Sequence, residues 1–513
     1  MFVSMLFVTI TAKIPNSIIA FFHSRRVPLF LLAVIVLLSS GSPGIAWSQA
    51  IRPSIYSMEG SLDNLPSNYI TDILIINNDA WLGTGRGLSK TTDSGRTFTN
   101  FSGTPGIGRG ATSALTYDSG VLWIAAGYDT LISDEYLQAG GGLSWSDDYG
   151  ATWHYIPQPV DPNDEDSLGY KPTTTHVQNI TFDIAVHNGE VWITSKGGGL
   201  RKSADNGLNW EVVTPDRYPF EPLKYLNHRA FAVISADNGL WVGTAQGVNK
   251  STDGGGTWTN YSAQNSGVSG NFITALGKQE TGQGTIIWAA SWKAEGEEEF
   301  YGVSRTTNGG LTWESMLEGE RSHNFGFNGD EVYTVTDNGL FKSYDRGENW
   351  GNFPWITSPD GDQFLTTEYY SVAVGSGLLW TGTSDGLATS SDGGSTWSII
   401  RSFREPGIDG TPKVYAYPNP FSPLRHNLLG EKGHVRIQYS IDNAAEISLS
   451  IFDYGMNPVK TVVSGKSRFN PGSYAEAWDG TNNWGQMVAN GVYFYKMEIS
   501  GEGTFWGKII VMN

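Results

Sequence analysis

The eight residues "STDGGGTW" (251–258) decide how this chain folds. Close variants recur at "TTDSGRTF" (91–98), "SDDYGATW" (146–153), "SADNGLNW" (203–210), "TTNGGLTW" (306–313), "SYDRGENW" (343–350) and "SSDGGSTW" (390–397). The acidic position is Asp93, Asp148, Asp205, Asp253, Asn308, Asp345 and Asp392, at intervals of 55, 57, 48, 55, 37 and 47 residues. Such intervals mark a repeat architecture, and about 40–50 residues suits a four-stranded propeller blade. A turn aspartate accepts hydrogen bonds from backbone N–H groups further on, a Ser or Thr adds another, and glycine supplies positive φ. Asn308 keeps the acceptor oxygen and Phe98 keeps the ring. Both departures preserve a structural role, so the boxes read as scaffold and not as catalytic carboxylates. Their Trp or Phe is expected to pack against the next blade.

One blade is legible in "FAVISADNGLWVGTAQGVNKSTDGGGTWTNYS" (231–262). "FAVIS", "LWVGT", "GVNKS" and "TWTNY" are four short strands, with "ADNG" as a tight hairpin turn and the box between the third and fourth. The shortest box interval shows that a complete blade needs about 37 residues, and none of the longer gaps holds two. The count is seven blades.

The 513 residues contain 64 glycines and 13% aromatics, with no long 3.6-residue period, which points to an all-β chain. Absence of cysteine removes disulfides, thiolate metal sites and thiol nucleophiles. The start carries Lys13, Arg25 and Arg26, the apolar run "VPLFLLAVIVLL" (27–38) and "AWSQA" (46–50), the layout of a secretory signal cut after Ala50. The apolar run is short for a span of about 20 residues, so no stable membrane span is expected after cleavage. Cleavage removes three positive and no negative charges, taking the net charge from −18 to −21. That sign disfavours nucleic acid and anionic membrane surfaces as partners.

The seven boxes resemble those of the Asp-box (BNR) family, whose turn decorates sialidases, sortilin-type domains and xyloglucan-degrading propellers. The resemblance covers roughly 55–410 and implies a seven-bladed β-propeller over 51–410, behind a signal peptide at 1–50. "LPSNYITDI" (65–73) followed by "AWLGT" also resembles the propeller sensor repeats of two-component regulators. The repeat period ends after "SFREPGIDGTPK" (402–413), and alternating strands over 411–513 suit a small β-sandwich. "VYAYPNPFSP" (414–423), "IFDYGMNPV" and "WDGTNNWGQMVANGVYFY" resemble the FlgD-type immunoglobulin-like domain. The same pattern recurs in C-terminal sorting domains of the type IX secretion system. That resemblance implies engagement of the type IX machinery through 414–513 and a place outside, or on the outer-membrane surface of, a Gram-negative bacterium.

Five long insertions fall on connections between strands two and three or between blades, which share one face: 127–141, 154–177, 214–229, 291–302 and 352–368. Loops on a rigid scaffold carry function, so this face is the expected ligand surface. Tyr128, Trp292, Tyr301 and Trp355 supply rings suited to a sugar or a protein. Arg109, Arg229 and Arg321 precede inner strands, where guanidinium forks would hold a carboxylate. "DPNDED" (161–166) offers oxygen ligands but lacks the Gly and distal Glu of a calcium loop. No cofactor or metal is expected. The reading is a binding module for a glycan or protein ligand. The alternative is a glycoside hydrolase or lyase pairing Asp129 or Asp134 with Asp362 or Glu368 at hydrolytic separation.

Overall fold

A computed structural model of the chain describes residues 64–512, apart from 134, 163–168, 295–297, 354, 409, 430 and 431. The signal segment, Asp134 and most of "DPNDED" lie outside the described residues. Seven four-stranded antiparallel meanders follow one another between Ile70 and Ile400. In the fourth, the strands are Ala230–Ala236, Gly239–Thr244, Gly247–Ser251 and Thr259–Tyr261. Each innermost strand packs on its neighbour's, and the seventh packs on the first, so the meanders close a ring. Among the described residues, closure uses no shared strand. It relies on Phe98 and Trp380 in one apolar cluster and on bonds such as Asn64 Nδ2 to the Phe403 carbonyl (3.0 Å).

The boxes form tight turns with one repeated network. The Ser251 hydroxyl donates to Asp253 (2.9 Å) and accepts from the Gly255 N–H (2.8 Å). Asp253 also accepts the N–H and hydroxyl of Thr257 (2.8 and 2.7 Å). These Thr257 bonds hold the Asp253 carboxyl down at about 2, and equivalent donors do the same at Asp148, Asp205, Asp345 and Asp392. At Asn308 the side-chain nitrogen donates to the Thr312 hydroxyl instead (2.8 Å), which keeps the turn without a charge. Trp258 precedes the outer strand rather than opening it, because its indole N–H closes the turn onto the Gly255 carbonyl (3.0 Å).

The box rings pack against the preceding blade, not the next one. Trp153 meets Trp81 edge-on at 6.5 Å, Trp313 meets Trp241 at 6.2 Å and Trp350 meets Trp288 at 6.1 Å. The reason lies in the second strand of each blade, which carries a fully buried ring: Trp81, Trp123, Trp192, Trp241, Trp288, Tyr333 or Trp380. Trp81, Trp192 and Trp288 reach forward onto the next box's glycine, whose φ is near +90°. A Cβ on Gly150, Gly255 or Gly347 would stand 2.6, 2.8 or 2.5 Å from that indole. A third-strand cation covers the same ring in five blades: Lys90, Lys202, Lys250, Arg305 and Lys342, at 4.6–6.0 Å. Lys250, Lys342 and Arg305 then donate to a carbonyl of the next box.

Two further sheets form the sandwich. Val414–Tyr417, Val435–Ile441 and Gly472–Trp478 make one; Pro458–Arg468, Ala445–Phe452, Gly491–Ile499 and Gly503–Val511 make the other. Alternate residues such as Ile447, Leu449, Ile451 and Met497 meet Ile437, Tyr439 and Trp478 in one buried core. Phe421, from the "YPNPF" opening, is fully buried there and donates its N–H to the Ile510 carbonyl (2.7 Å).

Gly255→Ala is expected to destabilise the chain by more than ~1 kcal/mol, since it combines left-handed strain with the Trp192 clash; denaturant unfolding reads this. The depressed box carboxyls stabilise the fold above their unfolded value near 4, and that contribution is lost as pH falls toward 2. Asp253→Asn should therefore lower the melting temperature at pH 6 and converge with wild type near pH 2.

Candidate functional site

The inner strands begin on the face that carries the long connections. Every one of them holds a β-bulge near its start, which re-aims the extra side chain. The extra residues are Thr71, Ser113, Phe182, Phe231, Thr274, His323 and Tyr370. Rings at this level touch from blade to blade. Phe182 meets Phe231 at 5.5 Å, Phe231 meets Phe272 at 4.5 Å and Phe272 stacks on Trp292 at 6.2 Å. The arc continues through Trp292–His323 (5.8 Å), His323–Tyr370 (5.6 Å) and Tyr370–Tyr69 (5.2 Å). Blade two contributes Ser113 instead of a ring, so the collar is open there.

Arg109 and Tyr128 stand at that opening, with the guanidinium 3.9 Å above the ring and exposed. Residues 127–141, expected as a loop, instead prolong two strands into a long hairpin, Val121–Ile132 with Glu135–Ser146. Its tip exposes Leu131, Ile132 and Tyr136. Across the mouth, Arg321 lies 4.6 Å over Tyr301, donates to its hydroxyl (3.2 Å) and faces Asp337 at 3.6 Å. Asp337 also holds the nearly buried His323 ring (2.7 Å).

The expected ligand residues thus divide. Tyr128, Tyr301 and Arg109 line the mouth, and Trp355 is 52% exposed on its own connection. Trp292 is corrected: it is 6% exposed and its indole N–H is given to the Ser322 carbonyl (3.3 Å), so its role is to build the collar. The three arginines do not converge on one anion. Arg229 turns back onto the Pro222 carbonyl (2.7 Å), while Arg109 and Arg321 each sit on a separate tyrosine. Two of the four proposed acids are committed elsewhere. Asp362 is ion-paired to Arg401, and Glu368 accepts the Tyr370 hydroxyl (2.9 Å). Asp161 is a clasp for its loop, holding buried Arg201 (2.7 Å) and the N–H groups of Thr173 and Thr174. Among the described residues no cluster of acids and histidines could hold a metal ion.

Sequence reasoning missed two carboxylates just inside the collar, although an aspartate within an apolar strand was the signal. Asp72 accepts the N–H of Ile73 (2.9 Å) and, from the next blade, of Leu115 (3.1 Å). Asp183 does the same with Ile184 (2.8 Å) and Val233 (2.9 Å). Burial pushes them up to about 6 and about 7, and the Asp72 charge adds to the rise at Asp183.

The 352–368 connection, expected on the open face, is partly covered by the sandwich. Arg468 of the sandwich donates to the Asp360 carbonyl (3.0 Å). Asp385, on the turn between the second and third strands of blade seven, is buried between Arg401 and the sandwich's Arg436. The arginines hold its carboxyl far below the usual range. Burial, then Arg436, pushes the adjacent His434 down to about 3, which keeps it neutral.

The family model of the FlgD Ig-like domain matches residues 426–503. A xyloglucanase from Paenibacillus sp is 26% identical over 205 residues, covering 35% of this chain and only 19% of that enzyme. Among solved structures, the GH74 enzyme of Niastella koreensis aligns with TM-score 0.48 and 14% identity over 88% of this chain and 73% of its own. PorZ, a surface component of the type-IX secretion system of Porphyromonas gingivalis, aligns with TM-score 0.36 and 14% identity over 88% and 66%. No helix among the described residues is long and apolar enough to cross a membrane.

The raised carboxyls give a second pH window with the opposite sign. Between about 4 and about 7 the folded state keeps protons that the unfolded chain has released, so their charging lowers stability as pH rises. Asp183→Asn, the residue type already present at the equivalent Asn324, should flatten the decline in melting temperature between pH 5 and pH 8.

Proposed function

We propose that the chain is a secreted or surface-displayed binding module that holds a glycan at the axial mouth of its propeller, with the sandwich serving export. The observation that carries this reading is the pair of arginine–tyrosine contacts at the mouth, Arg109–Tyr128 and Arg321–Tyr301. Flat rings with polar edges, framed by guanidinium donors, match the alternating apolar faces and hydroxyls of a sugar chain. The stretch similar to an enzyme named xyloglucanase favours a glycan over a protein ligand. Binding is favoured over hydrolysis because Asp362 and Glu368 are engaged in fixed structural contacts.

The test is a polysaccharide array probed with the full chain, with product analysis on every bound glycan. A retained, uncleaved polymer is the expected result; release of shorter chains would overturn the binding reading in favour of a glycosidase or lyase. Tyr301→Ala should weaken the bound glycan by ~1–3 kcal/mol, as loss of an aromatic contact does. Arg346→Ala, on the box face, should leave affinity unchanged. For export, a reporter fused to residues 411–513 should reach the surface of a type IX-competent host. Retention of that fusion in the periplasm would refute a sorting role.

A further inference from the structure

A cavity of about 430 Å³ lies where blade seven meets the sandwich. One wall is the outer edge of blade seven with the 358–362 segment; the other is the face of the three-stranded sandwich sheet carrying Gln438, Ser473 and Ala475. Its size falls within the range of small-molecule sites. Gln438 is 5% exposed, yet its side-chain amide has no partner among the described residues. Its amide atoms are not sealed off from solvent and open into the cavity, where they can both donate to and accept from a ligand. Ser473 and Asn470 add a hydroxyl and a second amide, and Ile399 and Phe403 add apolar lining.

The arginines nearby are matched by acids, while the Asp360 carboxylate in the lining accepts the Ser358 hydroxyl and has no cation partner among the described residues. Arg401 is held by Asp362 and Asp385, and Arg468 by Glu476. What remains for a ligand is therefore a set of amides and hydroxyls that both donate and accept, with one carboxylate that disfavours an anion. We propose that this junction is a second binding site, for a neutral carbohydrate of about two sugar units, composed jointly by propeller and sandwich. It is separate from the axial mouth and does not rest on the reading of that mouth.

Calorimetric titration of the full chain with cellobiose, with N,N′-diacetylchitobiose and with digalacturonate tests the assignment. Saturable binding of a neutral disaccharide, with digalacturonate at least tenfold weaker, is the expected pattern. Gln438→Leu, which removes the amide, and Ser473→Leu, which fills the cavity, should each weaken that binding at least tenfold. Tyr301→Ala should leave it unchanged, which separates this site from the axial one. A crystal of the wild-type chain soaked in the bound disaccharide should show it against Gln438, whatever the variants do to folding. Absence of saturable binding by both neutral sugars, preference for the anionic one, or a sugar seated elsewhere would each overturn the proposal.

Discussion

In three of the seven blades a buried indole is seated on a left-handed glycine in the next blade's box, and this contact fixes the spacing between those neighbours. The contact works only without a Cβ, and the box exists to hold that glycine in place. Ser251 and Asp253 consume the donors of the turn, so the backbone at Gly255 cannot relax away from Trp192. At Trp241 the stacked third-strand Lys250 seals the ring and reaches the following box. Ring and cation of one repeat thus meet the box of its neighbour, as nearest-neighbour stabilisation of a repeat protein requires. The geometry also explains why blade one needs no borrowed strand. Gly95 accepts blade seven through Ile400 and Trp380, as other boxes accept their own predecessors.

With the blades locked at their box ends, the opposite ends are free to diverge. The inner strands use a bulge at one register position to present Thr, Ser, Phe, His or Tyr at the axial mouth. Backbone conformation repeats there while side-chain chemistry does not. Asp72 and Asp183 mark the limit of this freedom. Each bridges two inner strands through backbone N–H groups, at the expense of keeping a carboxylate in a confined channel.

The sandwich is more than a tethered tail. Asp385 is shared by an arginine from each domain, and Arg468 ties Glu476 and Tyr439 to the propeller segment at Asp360. A buried ion cluster is poor evidence of net stability, because desolvation offsets much of its attraction. It is good evidence of specificity, since removing one partner strands the others. The same junction that restricts the open face at blade seven encloses the cavity beside Gln438.

Repetition made the propeller legible. Seven Asp/Asn–Gly–aromatic boxes at blade-sized intervals imply seven turns, because turn chemistry is local and needs only residues within eight positions. The sandwich was legible for the same reason, through alternation and turn signals. The third-strand cation was also visible as a recurrent Lys or Arg before the box, but its meaning depends on the ring across the strand. Site residues followed a different rule. Trp292 and Trp355 look alike in sequence, yet one is a collar stone and the other an exposed ring, since burial depends on which strand position faces the axis. The arginines before the inner strands take their direction from Tyr128, Pro222 and Tyr301, none adjacent to them in the chain. Coverage of 352–368 by the sandwich was likewise invisible, because Asp385, Arg401 and Arg436 become a pairing only when two separately legible domains are brought together. Local hydrogen bonding determines the repeats from sequence alone; which charges meet and which rings stay open is a property of long-range packing, and only the tertiary structure decides it.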